Sequence, residues 1–413
     1  MNRLTTLIAL ALVLGLAAGM ILHAWLPESA PRYAELAALL PAIFLRLIKM
    51  IIAPLVFATL VVGIGKMGDV AMVGKVGGKS LAWFIFASLI SLTLGLILVE
   101  TLQPGAAMHL TPPPAGTSSG IGSGGLSLET FIEHTIPTSI VDAMSRNEIP
   151  QIVVFAVFFG AALASFGERG ALVTQVFESV SQIMLKVTGY VMQAAPFAVF
   201  GALMSTVARE GIDVIGVYGL FVAEFYLGIV LLWVVLVLLG VAITGPRILG
   251  LVRGLREPVL LAFSTASSEA AYPRTLEELE RHGISNRIAS FVLPVGYSFN
   301  LDGSMMYCTF AVMFIAQVYG IAIPLHDQIL MVAILMLTSK GIAGVPRASL
   351  VVIAATLAQF NIPEAGLLLL LGVDHFLDMG RSATNVIGNS IATAVVAKWQ
   401  GETLNPALSR STA

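Results

Sequence analysis

Long, nearly unbroken apolar stretches recur along this sequence, and they narrow its fold further than any other feature. A helix that crosses a bilayer needs roughly 20 mostly apolar residues. Leu4 to Trp25 meets that length, and further candidates lie at about 36–64, 80–101, 128–166, 172–206, 214–244, 288–318 and 363–398. The first is too long for a signal-peptide core and no clean small-residue cleavage site follows, so it reads as part of the mature chain. The second, fourth and fifth exceed one straight crossing and predict tilted or broken helices. Two more apolar stretches, about 257–272 and 329–360, are interrupted at their centres by small and polar residues.

The composition excludes the alternatives. Of 413 residues, 57% are hydrophobic and 11% charged, against roughly 25% charged in soluble domains. That is too little polar surface for a cytosolic globular enzyme and too much apolar content for a disordered chain. A formal net charge of -2 offers no basic face to nucleic acid. The single cysteine, Cys308, excludes an intramolecular disulfide framework and a cysteine-built metal site. An all-α polytopic membrane protein remains.

Lys and Arg mark the cytoplasmic loops. Lys66, Lys75 and Lys79 follow the second span, Arg247, Arg253 and Arg256 follow the sixth, and Arg274, Arg281 and Arg287 precede the seventh. Ser80 to Ser145 holds neither residue type, so its Pro-, Gly- and Ser-rich part, Gln103 to Ser127, reads as an external loop. Both termini come out cytoplasmic. The chain divides into scaffold helices 1–2 (1–77), helix 3 with the external loop (78–126), helices 4–6 (127–250), a polar core (251–400) and a tail (401–413).

Ionisable residues inside a membrane are costly and mark function, and here most fall in the last 150 or so residues. In the final span Asp374, Asp378, Arg381, Ser382, Asn385 and Asn389 share one stripe at helical spacing. One reading is a salt-bridged packing face. The other is a site for an acid or zwitterion, with Arg381 gripping a carboxylate bidentately and Asp378 accepting from an ammonium group. His375 lies off that stripe and reads as a packing residue more readily than as a proton relay.

The seventh span is interrupted by Gly296-Tyr297-Ser298-Phe299-Asn300-Leu301-Asp302-Gly303-Ser304. Such residues disfavour helix interiors, which predicts an unwound turn whose carbonyls, with Asn300 and Asp302, suit a small cation or a proton. The alternative is a structural kink capped by Asp302. Two interrupted hairpins precede these two helices. The first holds Thr265-Ala266-Ser267-Ser268-Glu269-Ala270-Ala271, the second Ser339-Lys340-Gly341-Ile342-Ala343-Gly344-Val345-Pro346-Arg347. Non-spanning segments are tolerated at depth only where buried or lining a cavity. The order hairpin, helix, hairpin, helix is the layout of an inverted-repeat transporter. Glu269 reads either as a desolvated, titrating acid or as a water-exposed tip residue.

Other chemistries are weakly signalled. Val73 to Ser80 nears a phosphate-loop pattern but begins with Val and follows no strand, so it reads as a basic cytoplasmic turn. An intramembrane aspartyl protease would need two acids sharing a proton, which Arg381 beside Asp378 disturbs. A passive anion channel needs no acid to pair an ammonium group.

Taken together, Ser267-Ser268-Glu269, Asn300-Leu301-Asp302-Gly303-Ser304, Gly341-Ile342-Ala343-Gly344-Val345-Pro346 and Leu377-Asp378-Met379-Gly380-Arg381-Ser382-Ala383-Thr384-Asn385 resemble the glutamate/aspartate transporter family, the dicarboxylate/amino acid:cation symporters. Leu45-Arg46-Leu47-Ile48-Lys49-Met50 and Pro54-Leu55-Val56-Phe57 are similar to its second helix. The likeness is nearest to bacterial proton–glutamate/aspartate symporters. It implies eight spanning helices, two re-entrant hairpins, a homotrimer in the bacterial inner membrane, and an elevator in which the second hairpin gates. It implies substrate contacts at Ser267, Ser268, Ser304, Gly344, Val345, Asp378, Arg381, Ser382 and Asn385. Coupling falls to Glu269, Gly296, Ser298, Asn300, Asp302, Asn385 and Asn389, with sodium, if used, at Asn300, Asp302 and Asn385. No cofactor is implied.

Departures within the family sharpen the expectation. Dicarboxylate carriers lack an acid where Asp378 stands, and neutral amino acid carriers lack Arg381, so having both points to L-glutamate or L-aspartate. Sodium-coupled relatives carry Asp at the place of Asn389 and a hydroxyl at that of Ala87, which favours protons here. Sodium-coupled and C4-dicarboxylate symport are the alternatives. Arg347 replaces a small residue common at the second hairpin tip, and nothing in the sequence explains it.

Overall fold

The structure is a computed structural model that describes residues 3–65, 70–108, 112–114, 132–133, 135–210, 213–338, 348–371 and 373–404. Among them there are helices and turns and no strand. The principal helices are α1 (Arg3–Trp25), α2 (Ala30–Gly65), α3 (Val70–Leu102), α4 (Ile149–Ser165), α5 (Ala171–Met192), α6 (Ala195–Glu210) and α7 (Asp213–Thr244). They are followed by α8 (Arg256–Thr265), α9 (Tyr272–Arg281), α10 (Asn286–Phe299), α11 (Asp302–Val318), α12 (Leu325–Thr338), α13 (Ala348–Gln359) and α14 (Asp374–Trp399).

Five described segments are long and apolar enough to cross a membrane: Thr6–Trp25, Ala30–Gly65, Gly74–Ala107, Tyr218–Thr244 and Asn286–Val318. The pair α5–α6, bent by 50°, makes a sixth. The chain is therefore a multi-pass membrane protein. Large apolar side chains stay exposed on α1, α5 and α7, such as Val13, Leu172 and Leu238, as surfaces bathed in lipid require.

One expected break appears, and one sequence reading is corrected. The stretch 172–206 is two helices, because α6 restarts with Pro196 in its first turn, where a missing N–H costs nothing. Val73 to Ser80 is not a turn but part of α3. Its glycines do not break the helix, and Lys79 reaches across to donate to the Trp399 carbonyl. The expected break in the seventh span is present: Asn300 and Leu301 have non-helical backbone between α10 and α11.

Packing separates the helices into two groups. α1 lies along α6, and α2 packs on α4, α5 and α6. α14 is the centre of the second group, wrapped by α7, α8, α10, α11 and α3. Helices α3 and α7 thus join the polar core although they precede it in sequence. The first hairpin turns at Ala266, which adopts the left-handed conformation at φ 48°. There Ser267 N–H bonds the Ala262 carbonyl at 3.1 Å, a helix-ending pattern. α12 and α13 form the arms of the second hairpin. Its tip, with Gly344, Val345 and Arg347, lies outside the described residues.

Candidate functional site

Two polar centres lie one after the other along α14. The first is built on Arg381, which is 2% exposed. Its Nη2 lies 3.1 Å from Asp374 Oδ1 and 3.0 Å from Asp378 Oδ1. The guanidinium carbon sits 4.2 Å above the ring of Tyr307, and the Tyr307 hydroxyl donates to Asp374 at 3.3 Å. A desolvated cation over a ring face contributes about 2 kcal/mol. Arg381 Nε and Nη1 are buried without a partner among the described residues. Such orphaned donors cost roughly 1–3 kcal/mol each, and they are what an incoming carboxylate would satisfy. The side chain of Asp378 is 38% exposed, so of the two acids it is the one open to a ligand.

Tyr226 of α7 closes one side. Its hydroxyl donates to the Phe376 carbonyl at 2.6 Å, and its ring lies so close to Gly380 that a Cβ there would press against it at 3.0 Å. Trp233 Nε1 donates to Thr384 Oγ1 at 2.8 Å. These contacts hold α14 in one rotation and so aim the stripe.

The second centre surrounds Asp302, which has no exposed surface. Asn300 Nδ2 donates to its Oδ2 at 3.0 Å and lies 3.3 Å from Asn389 Oδ1. The Ser91 hydroxyl lies 3.1 Å from Asp302 Oδ1 and 2.9 Å from the Ala87 carbonyl, with one proton to share. Gly303 N–H donates to Asn385 Oδ1 at 3.0 Å. Two glycines make this approach possible. A Cβ on Gly388 would overlap the Asp302 carboxylate, and one on Gly296 would overlap the Asn389 amide. The Asp302 carboxylate turns toward Ser91 of α3 and the Asn300 amide.

The sequence-predicted residues divide accordingly. Asp378, Arg381, Ser382 and Asn385 come together on one stripe of α14, buried except at Asp378, with Asn389 one turn beyond Asn385. Asn300, Asp302, Gly296 and Ser298 gather at the α10–α11 break. Ser304 lies in the first turn of α11. Ser267 is used locally, accepting from Ala270 N–H at 3.3 Å, and Ser268 opens the short helical turn that carries Glu269. Sequence reasoning left out Tyr307, Tyr226 and Ser91. Tyr307 and Ser91 stood in apolar helices with no motif to flag them. Ser91 shows that α3 does bring a hydroxyl to this centre, one turn beyond Ala87 and Ser88.

A model of the sodium:dicarboxylate symporter family matches residues 4–399. The chain belongs to that family. It is 42% identical over 366 residues to C4-dicarboxylate transport protein 2 of Polaromonas naphthalenivorans, covering 87% of this chain and 81% of that protein. It is 37% identical over 405 residues to the C4-dicarboxylate transport protein of Bacillus subtilis, covering 97% and 94%. It is 38% identical over 403 residues to the proton/sodium-glutamate symport protein of Geobacillus stearothermophilus, covering 96% and 94%. Members of the family are symporters of small organic acids, not enzymes.

Proposed function

We propose that this symporter imports acidic amino acids, L-glutamate or L-aspartate, together with protons. The single observation that carries the reading is the pairing of Arg381 with the half-open Asp378. A zwitterionic diacid offers one group to each: a carboxylate to the unpartnered guanidinium N–H groups and an ammonium to the acid. A C4-dicarboxylate offers nothing to Asp378 and leaves a carboxylate facing a carboxylate. Ser304, Ser382 and Asn385 complete the substrate contacts, with Ser267, Ser268, Gly344 and Val345 from the hairpins.

Eight spanning helices, a homotrimer and cytoplasmic termini belong to the same reading. The core moves against the scaffold as an elevator, with α12–α13 as the gate. Coupling rests on the α10–α11 break and Glu269. Asn389 in place of a carboxylate lowers the charge available to sodium and supports protons as the coupling ion. The second reading, C4-dicarboxylate symport, is favoured by the likeness to two C4-dicarboxylate transport proteins. The deciding experiment is uptake of labelled L-aspartate, L-glutamate and succinate into sodium-free proteoliposomes that are alkaline inside. Accumulation of the amino acids alone, collapsed by an uncoupler, is the expected result. Succinate accumulation at an equal rate overturns the substrate reading, and a strict requirement for sodium overturns the coupling reading.

A further inference from the structure

Three sets of acids stand in the polar core, and their surroundings differ in kind. Asp374 and Asp378 face the guanidinium of Arg381. Asp302 receives an amide and lies beside a hydroxyl. Glu269 has neither an ion pair nor a hydrogen bond among the described residues. It opens instead on a small cavity lined by Ile52 and Val56 of α2, Asn147, Ile149 and Pro150 at the start of α4, Tyr272 of α9, and Pro294, Tyr297 and Ser298 of α10. The Asn147 side-chain amide oxygen is buried there without a partner among the described residues, and the Tyr272 and Tyr297 rings meet edge to face at 5.9 Å.

The groups facing Glu269 can be named element by element. α2 presents Lys49, which acts on it through space. α9 and α10 present the neutral phenols Tyr272 and Tyr297, and Glu148 stands in the chain between the cavity residues Asn147 and Ile149. A lone carboxylate in such a place is costly unless it is neutralised. The cavity also lies on the boundary between the two helix groups, with α2 and α4 on one side and α9 and α10 on the other.

We infer that Glu269 carries the coupled proton: it holds the proton while its hairpin faces this cavity and exchanges it with water when the core moves away from α2 and α4. The inference rests on the proton-coupled elevator reading and assigns its carrier among the candidate acids. The step balances as one proton gained by the carboxylate from the outer solution and the same proton released by the carboxylic acid to the inner solution.

The test uses the full-length protein in proteoliposomes, with Glu269→Gln, which mimics the protonated form, and Glu269→Asp. Two activities are read: net L-aspartate accumulation driven by a pH gradient, and exchange of external for internal aspartate at several pH values. The expected result is that Glu269→Gln loses net accumulation by about a hundredfold while its exchange continues and no longer varies with pH. Glu269→Asp regains gradient-driven uptake with a displaced pH profile. Proton uptake by purified protein on aspartate binding, followed with an indicator dye, is expected in wild type and absent in Glu269→Gln. If Glu269→Gln still accumulates aspartate on a pH gradient, or exchanges with the wild-type pH profile, the assignment falls while proton coupling stands. If wild type itself fails to accumulate aspartate without sodium, the parent reading falls instead.

Discussion

The two polar centres on α14 solve the same problem, burial of charge in a membrane protein, in opposite ways. Around Arg381, two carboxylates meet one guanidinium, one acid is partly open, and two guanidinium nitrogens have no partner among the described residues. Around Asp302, a wholly buried carboxylate is met by an amide and a hydroxyl, and glycines admit it. The first arrangement has capacity left for an anion. The second has oxygens gathered in a closed space, which suits a small cation or a proton. Arg381 and Asn389 are eight positions apart, about 12 Å along a helix. One rigid helix therefore carries both the Arg381 centre, proposed to bind substrate, and the oxygen cluster, so a shift of α14 is felt at both.

The largest effect is expected from Arg381→Ala. It removes the anion's partner and leaves Asp374 and Asp378 facing each other, so uptake of acidic substrates should fall by about 10²-fold or more. Retained high-affinity aspartate uptake would break the comparison outright. Gly388→Ala tests the other centre: its Cβ occupies the space of the Asp302 carboxylate, and overpacking of this kind costs about 1–3 kcal/mol. Thermal unfolding of the purified variant should move down, and transport should fall even if L-aspartate still binds.

Asp378→Asn separates recognition from balance. Amino acid uptake should drop roughly tenfold relative to succinate uptake, as expected for loss of one charge-assisted contact. An unchanged ratio would show that Asp378 merely neutralises Arg381. The smallest effect is expected from Ser91→Ala, which removes one hydroxyl shared between Asp302 and a helix carbonyl. A net loss of about 1 kcal/mol should appear as a several-fold change in the coupling-ion dependence of uptake, with substrate affinity nearly unaltered.

Much of this was legible beforehand because it depends on short spacings. The α14 stripe follows from residues four and seven apart, and the α10–α11 break follows from Asn300-Leu301-Asp302-Gly303, which cannot continue a helix cheaply. Other parts were not legible, because they depend on partners more than 60 residues away. Ser91 stands 211 positions from Asp302, and Tyr307 stands 67 from Asp374. Val73 to Ser80 misled for a related reason. Its glycines and lysines have turn composition, yet it continues a helix that packs against the core.

The sequence by itself determined that the chain crosses a membrane several times, that its polar residues concentrate in the last third, and which of them share a helix face. Those are consequences of hydropathy and of the 3.6-residue repeat. Only the tertiary structure decided that Asp374 and Asp378 both reach Arg381, which helices close around α14, and where a glycine must yield its side-chain space to a carboxylate. Charges and hydrogen bonds act over a few ångströms in space, and chain order does not encode those distances.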